Sequence, residues 1–408
     1  MDARKLVGVR SELARMLGDL LADLPRKDQR AWAQAYVRGL LLDGDRKSIE
    51  PMAQRLQAIE RDQRDYEQAL QQLVNQSPWP SELVRRRLQR WRARQARGRR
   101  QYLILDDSGF PKQGQHSVGV ARQYSGTLGK VGNCQVAVTL QHVADETACC
   151  VDAQLYLSKK WAEDRPRMDR AGVPSEVGYQ PKWRMALAML EEAKANGLGG
   201  MVLADSLFGS VTAFRRGLDE GRWIWCVGID STLSVIDAGQ DLGPVPAYQG
   251  LGRPPSRPTR VAARKGAGSV KHWAMNHAQD FRMVTWREGT TGKLSSRFAA
   301  WRVRPAHRRS DGRMPQPECW LLAEWPEGEA SPTKHFFSNL PPRTSLRRLV
   351  AVAKSRGWIE LSYREMKDEL GLDHFEGRSW RGWHHHVTLV MLAYAFLVHL
   401  RRQKKGAV

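Results

Sequence analysis

At 408 residues the chain exceeds one ordinary hydrophobic core and suits two or three domains. Hydrophobic residues at 41% and charged residues at 26% are ordinary for a soluble globular protein and exclude a disordered or fibrous chain. The 65 Lys and Arg against 43 Asp and Glu leave +22, a charge that opposes compaction and points to a polyanionic partner, nucleic acid before a membrane surface.

Met1 to Leu20 carries scattered charge and no apolar centre, so no secretory signal is expected. Residues 1–100 read as a helical N-terminal DNA-binding domain. Leu13, Leu17, Leu20 and Leu24 recur at helical spacing, as do Leu70 and Leu73, then Val84 and Leu88. Ser77-Pro78 and Pro80-Ser81 supply helix-start chemistry before the last of these segments. That segment runs into nine arginines between Arg85 and Arg100, with Trp91 among them and no acid. A solvated helix face is one reading. Contact with DNA phosphates through Arg85, Arg86, Arg90 and Arg94 is the other, because such a cluster repels itself without an anion.

Residues 101–230 change to β/α character. Tyr102–Leu105 is an apolar run ending in Asp106-Asp107, followed by a glycine-rich stretch and strand-like runs at Gln135–Val143 and Ala148–Leu157. A helix is expected over Trp183–Lys194, a buried strand over Met201–Ala204 ending in Asp205, a helix near Val211–Leu218 and a strand over Trp223–Ile229. Three strands, helix, strand, helix, strand is the order of a ribonuclease-H-like fold, and other mixed α/β folds also fit it.

Residues 231–343 read as a β-rich insertion domain, with strands expected at Phe281–Arg287, Phe298–Val303 and Cys319–Glu324. Six cations between Gly252 and Gln279 meet no acid, and Arg260, Arg264 and Lys265 among them are candidate DNA contacts. Helical character returns at Thr344 and fills residues 344–408, the C-terminal part of the core. The apolar run Val387–Val398 is too short to span a bilayer, so no membrane partner is expected. Five cysteines without a CxxC pair suit a reduced, cytoplasmic protein.

Asp107 and Asp205 each end a strand, where the crevice of an α/β sheet lies. Two converging aspartates repel unless cations neutralise them, which favours Mg²⁺, or Mn²⁺, with oxygen ligands. Singly, each is equally well a turn or helix cap. Asp106 rivals Asp107, because neighbours on a strand point to opposite faces. In Ser355–Lys367, read as a helix, Arg356, Glu360, Arg364 and Lys367 form a polar stripe beside an apolar stripe of Ile359, Tyr363, Met366 and Leu370. A surface salt-bridge ladder explains that spacing as well as a metal ligand does.

Four stretches carry a resemblance. Ile104-Leu-Asp-Asp-Ser-Gly-Phe-Pro-Lys-Gln-Gly114, His116–Gly126, Val202-Leu-Ala-Asp205 and Asp373-His-Phe-Glu-Gly-Arg-Ser-Trp-Arg-Gly-Trp-His-His-His386 together resemble bacterial DDE insertion-sequence transposases, in particular insertion-sequence family seven-hundred-and-one. The similarity runs over nearly the whole chain. It implies a ribonuclease-H-like core with a β-strand insertion before the catalytic glutamate, and cut-and-paste movement of the element's own DNA. The family's first aspartate, followed by Thr or Ser, falls on Asp107 with Ser108, and its second on Asp205. The superfamily's arginine, glutamate and lysine fall on Arg356, Glu360 and Lys367. Its tyrosine ahead of that arginine is Ala353 here, which leaves Tyr363 or Arg364 to supply that phosphate contact.

The expectation is therefore a DNA transposase in which Asp107, Asp205 and Glu360 converge as catalytic and metal ligands for two ions about 3.5–4 Å apart. Water frees a 3′-OH at the element end, and that 3′-OH attacks a second phosphodiester. Arg356, Arg364, Lys367, Arg378 and Arg381 would steady the phosphate. The partners implied are double-stranded DNA (terminal inverted repeats and target) and further copies of the chain, at the bacterial nucleoid. A ribonuclease-H-like nuclease that never joins ends, and a catalytically silent DNA-binding protein, are the alternatives. His384-His385-His386 suits packing and phosphate contact better than a metal site, and one of Trp286, Trp301, Trp320 and Trp325 could stack on an extruded base.

Overall fold

The structure, a computed structural model, describes residues 3–126, 129–239, 247–250, 252, 267–289, 292–306 and 316–406. Its contacts divide the chain into two compact units, Met1–Gly200 with Trp358–Val408, and Met201–Gly357.

The first unit opens with five helices: α1 (Ala3–Leu20), α2 (Lys27–Leu41), α3 (Ile49–Glu60), α4 (Tyr66–Asn75) and α5 (Ser81–Gln95). Their spaced leucines do what the periodicity predicts, and Leu17, Leu20, Leu24, Leu70, Leu73, Val84 and Leu88 are buried. Asp65 caps α4 by accepting from the Gln68 amide, one of the orphan donors of that helix end. The sheet follows, as β1 (Gln101–Pro111), β2 (Ala121–Ser125), β3 (Lys130–Ala144) and β4 (Thr147–Leu155). β3 pairs antiparallel with β1 from Gln101↔Ala144 to Pro111↔Cys134. Along its length β3 also takes β2 and β4 as antiparallel partners. Asp145 and Glu146, both at positive φ, make the two-residue turn into β4.

After α6 (Lys159–Ala162), α7 (Arg165–Arg170) and α8 (Lys182–Ala195), the chain leaves this unit. It returns as α13 (Trp358–Asp368) and α14 (Trp380–Gly406). Side chains sort the layers. Arg92 of α5 reaches His142, and Lys182 of α8 reaches Asp107, both on one face of the β1–β3 pair. Ser362 of α13 meets Gln141, and Trp383 of α14 meets Phe110, on the other face. Residues 387–396 of α14 are all buried, and each large apolar side chain there contributes roughly 1.5–3 kcal/mol of transfer free energy. No helix among the described residues is long and apolar enough to cross a membrane.

The second unit starts with β5 (Met201–Ala204), α9 (Ser206–Gly209), α10 (Thr212–Glu220), β6 (Trp225–Ile229) and β7 (Ser234–Asp237). β8 (Gly268–Ser269), α11 (Val270–Asn276), β9 (Arg282–Gly289), β10 (Gly292–Pro305), β11 (Cys319–Trp325), β12 (Lys334–Ser338) and α12 (Leu346–Lys354) complete it. β5 and β6 are parallel. β12 then pairs antiparallel with β6, and β11 and β10 follow in turn. The three strands expected in the insertion are thus present, and β12 joins them directly to the sheet of β5 and β6. β12 was not foreseen: Lys334-His-Phe-Phe-Ser338 is short, without clear alternation. Glu324 and Lys354, both Glu324 oxygens 2.6 Å from Nζ, tie α12 to β11 under the ring of Trp286.

One expected helix is corrected. Ser355–Gly357 forms a 3₁₀ turn, so α12 ends at Lys354 and α13 begins at Trp358. Gly357, a poor helix former, sits at the break. The stripe Arg356–Glu360–Arg364–Lys367 therefore does not lie on one helix, although Ile359, Met366 and Leu370 are buried as expected.

Candidate functional site

Asp107 lies at the middle of β1, directly opposite Val138 of β3. Its Oδ2 accepts a charge-assisted hydrogen bond from Lys182 Nζ at 2.5 Å. Their side chains are 21% and 19% exposed, so the pair is shielded enough to count and open enough to exchange. Lys182 is the first residue of α8, where the helix dipole disfavours a cation. The Asp107 carboxylate and the face of Tyr156, 5.3 Å away, offset that.

Asp106 points the other way. Its partner in the register is Thr139, whose hydroxyl is hydrogen-bonded to Tyr363 of α13. Burial first, then the nearby Asp106 carboxylate, push the Tyr363 phenol well above its ordinary range. Tyr363 is thereby pinned to the sheet, and its expected role as a phosphate contact is corrected. Glu360 is on the same helix, exposed, and Arg364 is exposed one turn on. Lys367 donates to Gly109 O at 3.2 Å; burial lowers its ammonium, with Asp373, Asp368 and Asp106 opposing. Alternation on β1 thus sets Asp106 on the sheet face covered by the Glu360 helix, and Asp107 on the face covered by α8.

In the second unit Asp205 follows β5 and caps α9, its Oδ1 accepting from the Leu207 amide at 3.1 Å. A side chain at Gly209 would strike the Gly228 carbonyl, so the absence of a Cβ lets this strand-to-helix turn close against β6. Arg356 is half-buried in the 3₁₀ turn.

The arginine cluster of α5 requires a correction. Arg85 is 9% exposed and pairs with buried Asp152 at 2.8 Å. Arg86 pairs with Glu192 at 2.8 Å, Arg94 with Asp19 at 3.3 Å, and Arg90 donates to Asn196 at 2.9 Å. Arg87 is held by Asp23, Arg92 is buried against His142, and Arg99 is paired with Asp145. Acids distant in sequence thus pair with five of the nine arginines, and Arg85 is an interior residue rather than a DNA contact. Arg378 is exposed; Arg381 is exposed too and donates to Gln76 O at 2.9 Å. Arg260, Arg264 and Lys265 lie outside the described residues.

The three histidines are interior. His386 Nδ1 lies 2.8 Å from Tyr36 Oη and its Nε2 lies 3.0 Å from Gly371 O, which fixes Nε2 as the donor. His384 sits against Trp380 O, and His385 stacks on Trp79 between the carbonyls of Val74 and Trp79. Burial pulls His384 down to about 3 and His385 and His386 down to about 4, against backbone carbonyls that favour the charged rings. The packing reading of this run holds. The four tryptophans singled out are engaged as well: Trp301 donates to Asp280, Trp320 to Pro341 O and Trp325 to Glu329 O, while Trp286 packs on Phe298.

Among the described residues no group of three or more His, Cys, Asp or Glu side chains stands ready to hold a metal ion. The donor chemistry still fits a hard divalent cation. Carboxylate oxygens are such ligands, and Asp107 already holds a cation, the Lys182 ammonium. Sequence reasoning missed Lys182, because nothing local to it marks a partner on β1.

Comparison with known proteins agrees with the resemblance. A model of the DDE superfamily endonucleases matches residues 19–293, a range that holds Asp107 and Asp205 and stops before Glu360. A probable transposase for insertion sequence element IS701 from Microchaete diplosiphon is 32% identical over 169 residues, 41% of this chain. The matched part spans 42% of that relative's length. Enzymes of the superfamily generally use divalent metal ions. By the extent of the family match, this chain belongs to the DDE superfamily endonucleases.

Proposed function

We propose that the protein is a DNA transposase that cuts phosphodiester bonds at the ends of its element and joins the freed 3′-OH to target DNA. Membership of the DDE superfamily carries this reading. The relative named as a transposase and the charge of +22 support it, the latter as the counterpart of a DNA substrate. The core is ribonuclease-H-like, with residues 1–100 as a helical domain, 101–230 and 344–408 as the core, and 231–343 as its β-rich insertion. The protein works as a homo-oligomer on DNA at the nucleoid.

Asp107, Asp205 and Glu360 are the ligands for two Mg²⁺ ions, which when bound activate the attacking oxygen and stabilise the leaving one. The protein's own part is positional. Lys182 holds the Asp107 carboxylate in place through their hydrogen bond. The α9 cap holds Asp205 at the mouth of the β5 turn. Arg356, Arg364 and Lys367 neutralise the phosphate and its developing charge. A second assignment of the β1 ligand has its own support: Asp106 shares a sheet face with the Glu360 helix.

Incubation of the full chain with Mg²⁺ and a DNA end of its element, read on denaturing and native gels, tests the function. Joined products are expected. Nicks alone would make it a nuclease, and a bare shift a DNA-binding protein. Glu360→Gln, Asp205→Asn and Asp107→Asn should each abolish nicking and joining while leaving DNA-end binding nearly intact. Full joining by Asp107→Asn with none by Asp106→Asn would transfer the ligand role to Asp106.

A further inference from the structure

β3 outruns β1. Ladder pairing with β1 stops at Pro111↔Cys134; Asn133 still bonds to Lys112 and Gly114, and Lys130–Gly132 continue with β2 as a two-stranded arm in the register Gln123↔Gly132 to Ser125↔Lys130. Two-stranded ribbons are marginal in water by themselves. This one also exposes apolar surface, because Tyr124 and Val131, direct cross-strand partners, are 63% and 52% exposed. Arg122 stands two residues from Tyr124 on the same face and is exposed, and Lys130 is exposed on the other strand. No Asp or Glu occurs from Ser108 to Ala144, and among the described residues neither Arg122 nor Lys130 forms an ion pair.

The arm is fixed beside the candidate site. Ser125, opposite Lys130 at its outer end, is buried against Gly109, where any Cβ would collide with its hydroxyl, so the ribbon curls back over β1. Gly109 follows Asp107 on the same face of β1. Cys134, at the root of the arm, is close enough to Lys182 and Asp107 to feel both charges. An exposed aromatic and valine beside Arg122 on one face of a ribbon, with Lys130 at its outer end, match the shape and charge of a duplex groove with its two rows of phosphates.

We propose that the β2–β3 arm binds duplex DNA, setting Tyr124 and Val131 into a groove and Arg122 on a flanking phosphate next to Asp107. The proposal rests on the reading of the protein as a DNA-processing enzyme and names a contact surface for that substrate.

The test is fluorescence anisotropy of the full chain with a fluorescein-labelled duplex of mixed sequence, over a range of salt. Tyr124→Ser should weaken binding about tenfold at unchanged salt slope, as loss of one buried aromatic contact would. Tyr124→Phe should restore it. Arg122→Ala should lower the salt slope by about one unit. Both residues are exposed, so the melting temperatures of the variants should match that of the parent. Parent-like binding by Tyr124→Ser and Arg122→Ala, in a protein that itself binds DNA, overturns the arm alone. Failure of the parent to bind DNA overturns the underlying reading and the arm together. A change in mass by light scattering, with DNA affinity unaltered, assigns the arm to contact between copies and also overturns the proposal.

Discussion

Two stretches of this chain look alike as text and differ as structure. Arg85–Arg100 and Ser108–Ala144 both lack acids. In the fold, the first is threaded with carboxylates from Asp19, Asp23, Asp145, Asp152 and Glu192, and in the second Arg122 and Lys130 are exposed without an ion pair among the described residues. The denser run is thus the one whose charge is met, in good part, from within the protein. A local count of charge measures what the chain must neutralise, and the fold decides whether protein or ligand does so.

The sharpest way to break that contrast is at Arg85. Arg85→Ala would leave the Asp152 carboxylate, already raised by burial, without its counter-ion. We expect a loss of about 3–5 kcal/mol of folding stability, read by urea denaturation. A change under about 1 kcal/mol would show that the pair behaves as a surface one, and the cluster would return to the DNA-facing side of the ledger.

The histidine run sharpens the same lesson with pH. The folded values of about 3 to 4 lie below the unfolded value near 6.5, so the stabilisation is complete above pH 6.5 and falls away as pH drops toward 4. Each ring should cost about 1 kcal/mol per pH unit in that window. His386→Phe should flatten the acid limb of a stability–pH curve, and an unchanged limb would mean that the ring is charged in the native protein.

The smallest effect is the most direct comparison. Arg94→Ala, which removes a partner of Asp19, should leave the salt slope of DNA binding within a few tenths of the parent, well short of the unit expected for Arg122→Ala. Equal slopes for the two variants would erase the distinction between the regions.

What the sequence disclosed followed how local each feature is. Asp205 is legible because strand, acid and helix start lie in consecutive residues. Strands β3 and β11 and the apolar stripe of α13 are legible from periodicity alone. The Lys182–Asp107 pair is not, since its members are far apart in the chain and a lysine opening a helix predicts no partner. The sheet-face difference between Asp106 and Asp107 was foreseeable only as an alternation; which helix covers which face needed the register of β1 on β3 and the Tyr363–Thr139 contact. Packing is the reading the sequence supports for the three histidines, but their partners Tyr36, Val74, Trp79 and Gly371 are visible only in the fold.

The first unit is assembled from two pieces of sequence, with residues 201–357 between them. A ribosome therefore delivers β1, β3 and β4 long before α13 and α14, and the face of Thr139, Gln141 and Phe110 waits without its cover until those helices are made. Any product that terminates before Trp358 lacks Glu360 and leaves that face bare. Until the return segment from Trp358 is made, no partial product carries both the finished fold of this unit and the full set of candidate ligands.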